Sequence, residues 1–246
     1  MTLQHNSQST TEKCKFCGAS LKPRTMQCLG QTICIGTQPC NCEDALKARA
    51  QEFVREQEQL NAEVAKQQAA ARLRAGVPRR YLDATHPQAE ECAKAVQAGK
   101  TLFITGSVGV GKTHLACAIC EKLQEQKVNL RMHTAVGVLR LFEDAMRQNK
   151  SETELLKKLV QPDVLVIDDL GKERITNWTY ERIFDLLDMR YNDLKPTVIT
   201  SNFTLSQLAG RLVEGGCNKQ NAQAMISRLK QTSETVTLEG KDRRVK

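Results

Sequence analysis

The stretch "TLFITGSVGVGKTHLACAICEKLQEQ", Thr101 to Gln126, decides the fold. Thr101–Thr105 is a short aliphatic run that reads as a buried strand, and Lys112–Gln126 reads as the helix that follows it. Between them "GSVGVGKT" (Gly106 to Thr113) is a full match to G-x-x-x-x-G-K-[ST], in the strand-to-helix setting that this pattern needs. Its glycines let the backbone wrap tightly, so that successive N–H groups and a helix N-terminus point at phosphates. The candidate phosphate-binding residues are Gly106, Ser107, Gly109, Val110, Gly111, Lys112 and Thr113, with His114 directly after them. Lys112 is expected to reach the β- and γ-phosphates, and the Thr113 hydroxyl to ligate Mg²⁺.

Downstream, strand and helix patterns alternate. "NLRMHTA" (129–135), "VLVID" (164–168), "TVITS" (197–201) and "ETVTL" (234–238) read as strands. "GVLRLFEDAMRQ" (137–148), "ETELLKKLV" (152–160) and "TYERIFDLLDMRYNDL" (179–194) read as helices. The alternation predicts an α/β domain whose parallel sheet is covered by helices on both faces.

In "VLVIDDLG" (Val164 to Gly171), Asp168 closes the strand, where a carboxylate can hold Mg²⁺ through its water shell. Asp169 is then placed to orient or deprotonate a water attacking the γ-phosphate. Asn202, in "TSN", can touch that phosphate or water, provided "TVITS" lies between "TLFIT" and "VLVID" in the sheet.

Upstream the composition changes. Six of the ten cysteines, Cys14, Cys17, Cys28, Cys34, Cys40 and Cys42, fall in a segment poor in large apolar side chains, which cannot build a hydrophobic core alone. No apolar leader precedes them in "MTLQHNSQSTTEK", so a cytosolic chain with reduced thiols is expected. No run approaches the ~18 apolar residues of a membrane span. Cys14-x₂-Cys17-Gly18 has the spacing of a zinc knuckle. Cys40 and Cys42 of "PCNCED" are the preferred partners, with Cys28 and Cys34 as the alternative pair.

Glu43 to Ala75 contains no Gly or Pro and is rich in helix formers, so it predicts one long helix, or two in succession, with too sparse an apolar pattern for a coiled coil. The expected organisation is a zinc-binding module (1–42), a helical linker (43–76) and a nucleotide-binding domain (77–246). The net charge of +8 suits a polyanionic partner but is spread along the chain. In the cysteine module, Lys13, Lys15, Lys22 and Arg24 either meet phosphates or merely solvate a small domain. "GKERITNWTY" (171–180) combines Lys172 and Arg174 with Trp178 and Tyr180, as a single-strand DNA surface would, although either aromatic can pack in the core instead.

Taken together, "ITGSVGVGKTHLACAI", "VLVIDDLG", "TVITSN" and the tail "ISRLKQTSETVTLEGKDRR" resemble the AAA+ ATPases of the DnaC/DnaI helicase-loader group and the related IstB transposition ATPases. The lead-in "GVPRRYLDAT" (76–85) is also similar to the segment that opens the ATPase domain there. The resemblance implies a P-loop AAA+ domain that hydrolyses ATP in oligomers, with Asp168 and Asp169 as the Walker B pair and Asn202 as the sensor. It also implies Arg228 as an arginine finger acting on a neighbouring subunit, with Lys230 and Arg211 as nearby competitors. Phage loader-like proteins often open with C-x₂-C-G and a later C-x-C-E, which agrees with Cys14, Cys17, Cys40 and Cys42 as ligands.

The partners implied are a replicative DnaB-type hexameric helicase and single-stranded DNA. Asp169 stands where many such motors have Glu, and its shorter reach suits slow, partner-regulated turnover. The competing readings are an IstB-like transposition helper on duplex DNA, a zinc-dependent adaptor that binds ATP without hydrolysis, and a small-molecule kinase. The last leaves the cysteine module without a role.

Overall fold

The computed structural model describes residues 12–28 and 31–242. The amino-terminal stretch 1–11 and Arg243 and Arg244 of the tail motif lie outside the described residues. Two units are present, Met1–Lys66 and Gln67–Lys246. The first contains an antiparallel hairpin, β1 (Pro23–Cys28) and β2 (Gln31–Thr37), with Met26 opposite Ile33. Met26, Ile33 and Ile35 of this hairpin are all exposed, so it has no apolar core of its own. Helix α1 runs from Glu43 to Ala75, as its composition predicts, starting in the first unit and ending in the second. Leu46, Phe53, Leu60, Val64 and Leu73 along it are exposed.

In the second unit, a 3-10 turn at Arg79–Tyr81 leads to α2 (Ala89–Gln97), β3 (Thr101–Gly106) and α3 (Lys112–Glu125). Next come β4 (Leu130–Thr134), α4 (Ala135–Arg147), α5 (Glu152–Val160) and β5 (Val164–Leu170). The remainder is α6 (Asn177–Asn192), β6 (Thr197–Ser201), α7 (Leu205–Glu214), α8 (Lys219–Thr232) and β7 (Ser233–Leu238). The sheet is parallel throughout, in the order β4-β5-β6-β3-β7. Strand β6 therefore lies between β3 and β5, the condition set for Asn202.

Because successive strand residues face opposite sides, the sheet feeds two cores. Leu102, Ile104, Val164, Val166 and Val198 pack under α2 and α3, while Phe103, Leu165, Ile167 and Ile199 pack under α4 to α8. Helices on both faces hide both sides of the strands, which explains their nearly continuous apolar runs.

Thr134, Ser151, Thr176 and Thr204 cap α4, α5, α6 and α7, each accepting a backbone N–H three residues on. Arg190, 1% exposed, fastens the far end of the sheet. Its guanidinium donates to the carbonyls of Val160, Pro162, Asp163 and Pro196 and to Thr197 Oγ1, which uses all five N–H groups. No helix among the described residues is long and apolar enough to cross a membrane.

Candidate nucleotide site and cysteine cluster

The loop Gly106–Gly111 leaves the C-terminal end of β3 and enters α3 at Lys112. Gly106, Gly109 and Gly111 have φ values of 152°, 80° and 111°, which side chains with a Cβ rarely adopt. At Gly106 the neighbouring strand also enforces glycine, since a Cβ there would stand 2.3 Å from the Leu238 carbonyl oxygen. Lys112 is buried, and its ammonium donates to the carbonyl oxygens of Gly106 (2.8 Å) and Ser107 (2.7 Å), which holds the loop closed around it.

The carboxylate of Asp168 lies inside the site. It accepts from Thr113 Oγ1 at 2.9 and 3.1 Å and from Thr200 Oγ1 at 2.6 Å. Burial raises its pKa, while the hydrogen bonds from Thr200 and Thr113 pull it back and the neighbouring Asp169 pushes it up. Thr200 serves the next residue as well, because its oxygen accepts the Asp169 N–H at 2.9 Å. One hydroxyl thus fixes the positions of both adjacent aspartates.

Asp169, at φ 58°, turns its carboxylate into a cavity of about 240 Å³ lined by Tyr81, Gly109, Lys112, Thr113, His114, Lys172 and Asn202. His114 Nε2 lies 2.9 Å from the Thr85 carbonyl oxygen, and its ring meets Tyr81 edge-on at 6.0 Å. Such an arrangement offers closely spaced backbone N–H groups, a lysine, a hydroxyl–carboxylate pair for a hard cation and a second carboxylate facing the cavity. That is a donor set for a magnesium-bound polyphosphate.

Ser107 and Val110 belong to the same loop, with Ser107 exposed and Val110 buried. Arg228 is not brought to this cavity. It stacks over Phe184 at 5.0 Å, is ion-paired to Asp188, and lines a separate cavity of about 590 Å³ with Thr101 and Thr197, at the opposite ends of β3 and β6. It therefore stands apart from the candidate nucleotide cavity of its own chain.

Tyr180 does not offer a stacking surface. It is 5% exposed, stacks on Phe184 at 5.5 Å and donates from its hydroxyl to the Asn221 carbonyl, so it belongs to the core. Trp178 is half-buried beneath the Arg182 guanidinium.

Sequence reasoning missed Thr200, Tyr81 and the place of Lys172 in the cavity wall. A threonine inside a buried strand was the available signal for the first, since a buried hydroxyl needs a partner.

In the first unit the sulfur atoms of Cys14, Cys17, Cys40 and Cys42 all lie within 4.8 Å of one another. Cys14 and Cys42 are 3.8 Å apart, and Cys17 and Cys40 are 3.5 Å apart. A tetrahedral zinc ion with Zn–S bonds of ~2.3 Å requires sulfur–sulfur separations of about 3.8 Å, so the quartet fits. Backbone N–H groups of Cys17 and Phe16 pull the Cys14 thiol down to about 6, while burial and the neighbouring thiols push Cys42 up to about 12 and the neighbouring Cys40 thiol pushes Cys17 up. Arg49 of α1 donates to the Cys40 carbonyl and steadies the second pair. Cys28 and Cys34 stand outside the quartet, exposed on the hairpin.

Residues 78–246 match the family model described as IstB-like ATP binding protein. The replicative helicase loader DnaI of Bacillus subtilis (strain 168) is 27% identical over 150 residues, covering 59% of this chain and 48% of that protein. The replicative helicase loader DnaC of Escherichia coli (strain K12) is 30% identical over 117 residues, covering 46% of this chain and 47% of that protein. A crystal structure of DnaI superposes with a TM-score of 0.56 at 28% identity, covering 66% of this chain and 94% of the solved one. The chain spans about half the length of the curated relatives it matches.

Proposed function

The chain belongs to the IstB-like ATP-binding proteins, with the AAA+ fold of DnaC and DnaI, and on that footing we propose that it is an ATP-dependent loader of a replicative hexameric helicase onto single-stranded DNA. The observation that carries this reading is the convergence of Lys112, Thr113, Asp169 and Asn202 on one cavity, with Asp168 hydrogen-bonded to Thr113 behind it. Two relatives named as replicative helicase loaders favour that role over transposition.

In this reading the loop from Gly106 to Gly111 holds the phosphates, and Lys112 exchanges its loop carbonyls for the β- and γ-phosphates. Mg²⁺, held by Thr113 and Asp168, would neutralise charge on the same oxygens. Asp169 orients the attacking water and takes its proton, and Asn202 holds the γ-phosphate or that water. Arg228, apart from its own chain's cavity, completes the site of a neighbouring subunit, which makes turnover depend on assembly.

Residues 1–42 form the zinc module, 43–76 the linker and 77–246 the ATPase domain. The zinc module contacts the helicase while the ATPase domain contacts DNA. ATP binding favours assembly, and hydrolysis favours release.

The test is a pull-down of purified chain with a hexameric replicative helicase in ATP, in ADP and without nucleotide, run beside Lys112→Ala. Capture that depends on ATP and is lost in the variant is expected. Capture indifferent to nucleotide, or of a transposase instead, would overturn the loader reading.

A further inference from the structure

The turn after Asp169 is built to return a lysine to it. Lys172 N–H donates to the Asp169 carbonyl at 3.2 Å. Gly171, at φ 89°, lies so close to Phe203 that a Cβ would stand 2.9 Å from its ring. The buried carboxylate of Glu173 accepts the Gly171 N–H at 2.9 Å. From a backbone held on both sides, the Lys172 ammonium reaches Asp169 Oδ2 at 3.1 Å, inside the wall of the nucleotide cavity. The two aspartates are therefore treated differently: Asp168 is held by hydroxyls, and Asp169 by a cation. The ammonium takes up one acceptor direction of the Asp169 carboxylate and draws on its negative charge, so it competes with a water for the same group.

We propose that Lys172 is a brake on Asp169, and that a phosphate of single-stranded nucleic acid releases it by drawing the ammonium away. The inference rests on the reading of Asp169 as the group that orients the attacking water. Release is physically cheap because the Lys172 side chain is 65% exposed, and ion pairs of that kind hold weakly. A strand phosphate offers the ammonium an equivalent anion. Arg174, two residues on, is exposed and has no ion-pair partner among the described residues, so a strand arriving at Lys172 finds a second cation beside it. Lys172 is thus a positioning residue that couples strand binding to the chemistry of the same site. Nothing in the fold depends on its side chain, so its replacement leaves the domain folded.

The experiment measures steady-state phosphate release by the full chain with and without oligothymidylate, for wild type, Lys172→Met, Lys172→Arg and Asp169→Asn. Lys172→Met is expected to turn over about two- to fivefold faster than wild type without DNA, the range an exposed ion pair supplies. The gain should appear in kcat, and oligothymidylate should accelerate it no further. Lys172→Arg should remain slow and DNA-responsive. A Lys172→Met rate at or below wild type, or DNA stimulation as large as in wild type, overturns the brake. So does a wild type that oligothymidylate leaves unchanged. If Asp169→Asn is inactive and Lys172→Met is not faster, the brake falls and the catalytic reading stands; if Asp169→Asn turns over like wild type, both fall.

Discussion

Replacing Thr200 by Val keeps the shape of a fully buried side chain and removes only its hydroxyl, so its effect isolates two hydrogen bonds. One is given to the ionised carboxylate of Asp168, where a charge-assisted bond contributes about 1.5–3 kcal/mol. The other satisfies the part-buried Asp169 N–H, and a donor left unpaired there costs about 1 kcal/mol, the low end for an orphaned group. Because valine leaves no cavity and the carboxylate can relax toward Thr113, the expected loss is about 3 kcal/mol, or roughly 6–12 °C in the melting temperature of a domain this size.

The loss depends on pH with a definite sign. Burial raises the pKa of Asp168 above its unfolded value, so the stability contributed by this group is present below the unfolded pKa and disappears as pH rises through the folded one. The Thr200 hydroxyl favours the ionised form. Its removal therefore costs most above the folded pKa and least in acid, where a protonated Asp168 needs no donor. Chemical denaturation of wild type, Thr200→Val and Thr200→Ser across pH 4 to 8 measures this, with serine restoring most of the loss. Magnesium-dependent nucleotide binding by the valine variant should also begin at higher pH than in wild type. A valine variant within about 0.5 kcal/mol of wild type at every pH would show that the hydroxyl does not organise the two aspartates.

Two further outcomes test the proposed zinc module and the buried arginine. Cys17→Ser or Cys40→Ser should lose bound zinc and unfold the first unit, whereas Cys28→Ser combined with Cys34→Ser should keep its full zinc content, read by metal analysis and circular dichroism. Arg190→Met strips the carbonyls of Pro162, Asp163 and Pro196 of their donor and should cost about 3 kcal/mol by urea denaturation; Arg190→Lys, with three donors on one nitrogen, should cost about half that, and neither should change nucleotide affinity.

The parallel sheet and the phosphate loop were legible in the sequence because their signals are local. Alternating periods marked the five strands, and glycine spacing marked the loop. Helices α2 and α7 went unmarked although both are amphipathic, with one buried apolar face each, and "TLSQ" (204–207) carries a capping box that forms in the structure and opens α7. The hairpin escaped because its apolar residues have nothing to pack on.

Side-chain roles set by long-range packing were harder to read. Arg190 lies in the polar stretch "DMRYND", yet it is among the most deeply buried residues, because the carbonyls that surround it come from two separate connections, α5 to β5 and α6 to β6. Tyr180 looked available for DNA because a local pattern does not say which side of a helix meets α8. Cys40 and Cys42 were preferred to Cys28 and Cys34 because they stand immediately before the long helix and agree with the resemblance; the hairpin's geometry, which holds the latter away from the other thiols, could not be seen in one dimension.

The flanking of β3 by β6 and β7 has a consequence for biogenesis. Both neighbours of the loop-bearing strand are encoded far downstream, so on the ribosome that strand emerges with two open edges and waits through most of the domain's translation. The cysteine unit closes over short separations and can mature early, whereas nucleotide competence arises only as the final strand docks.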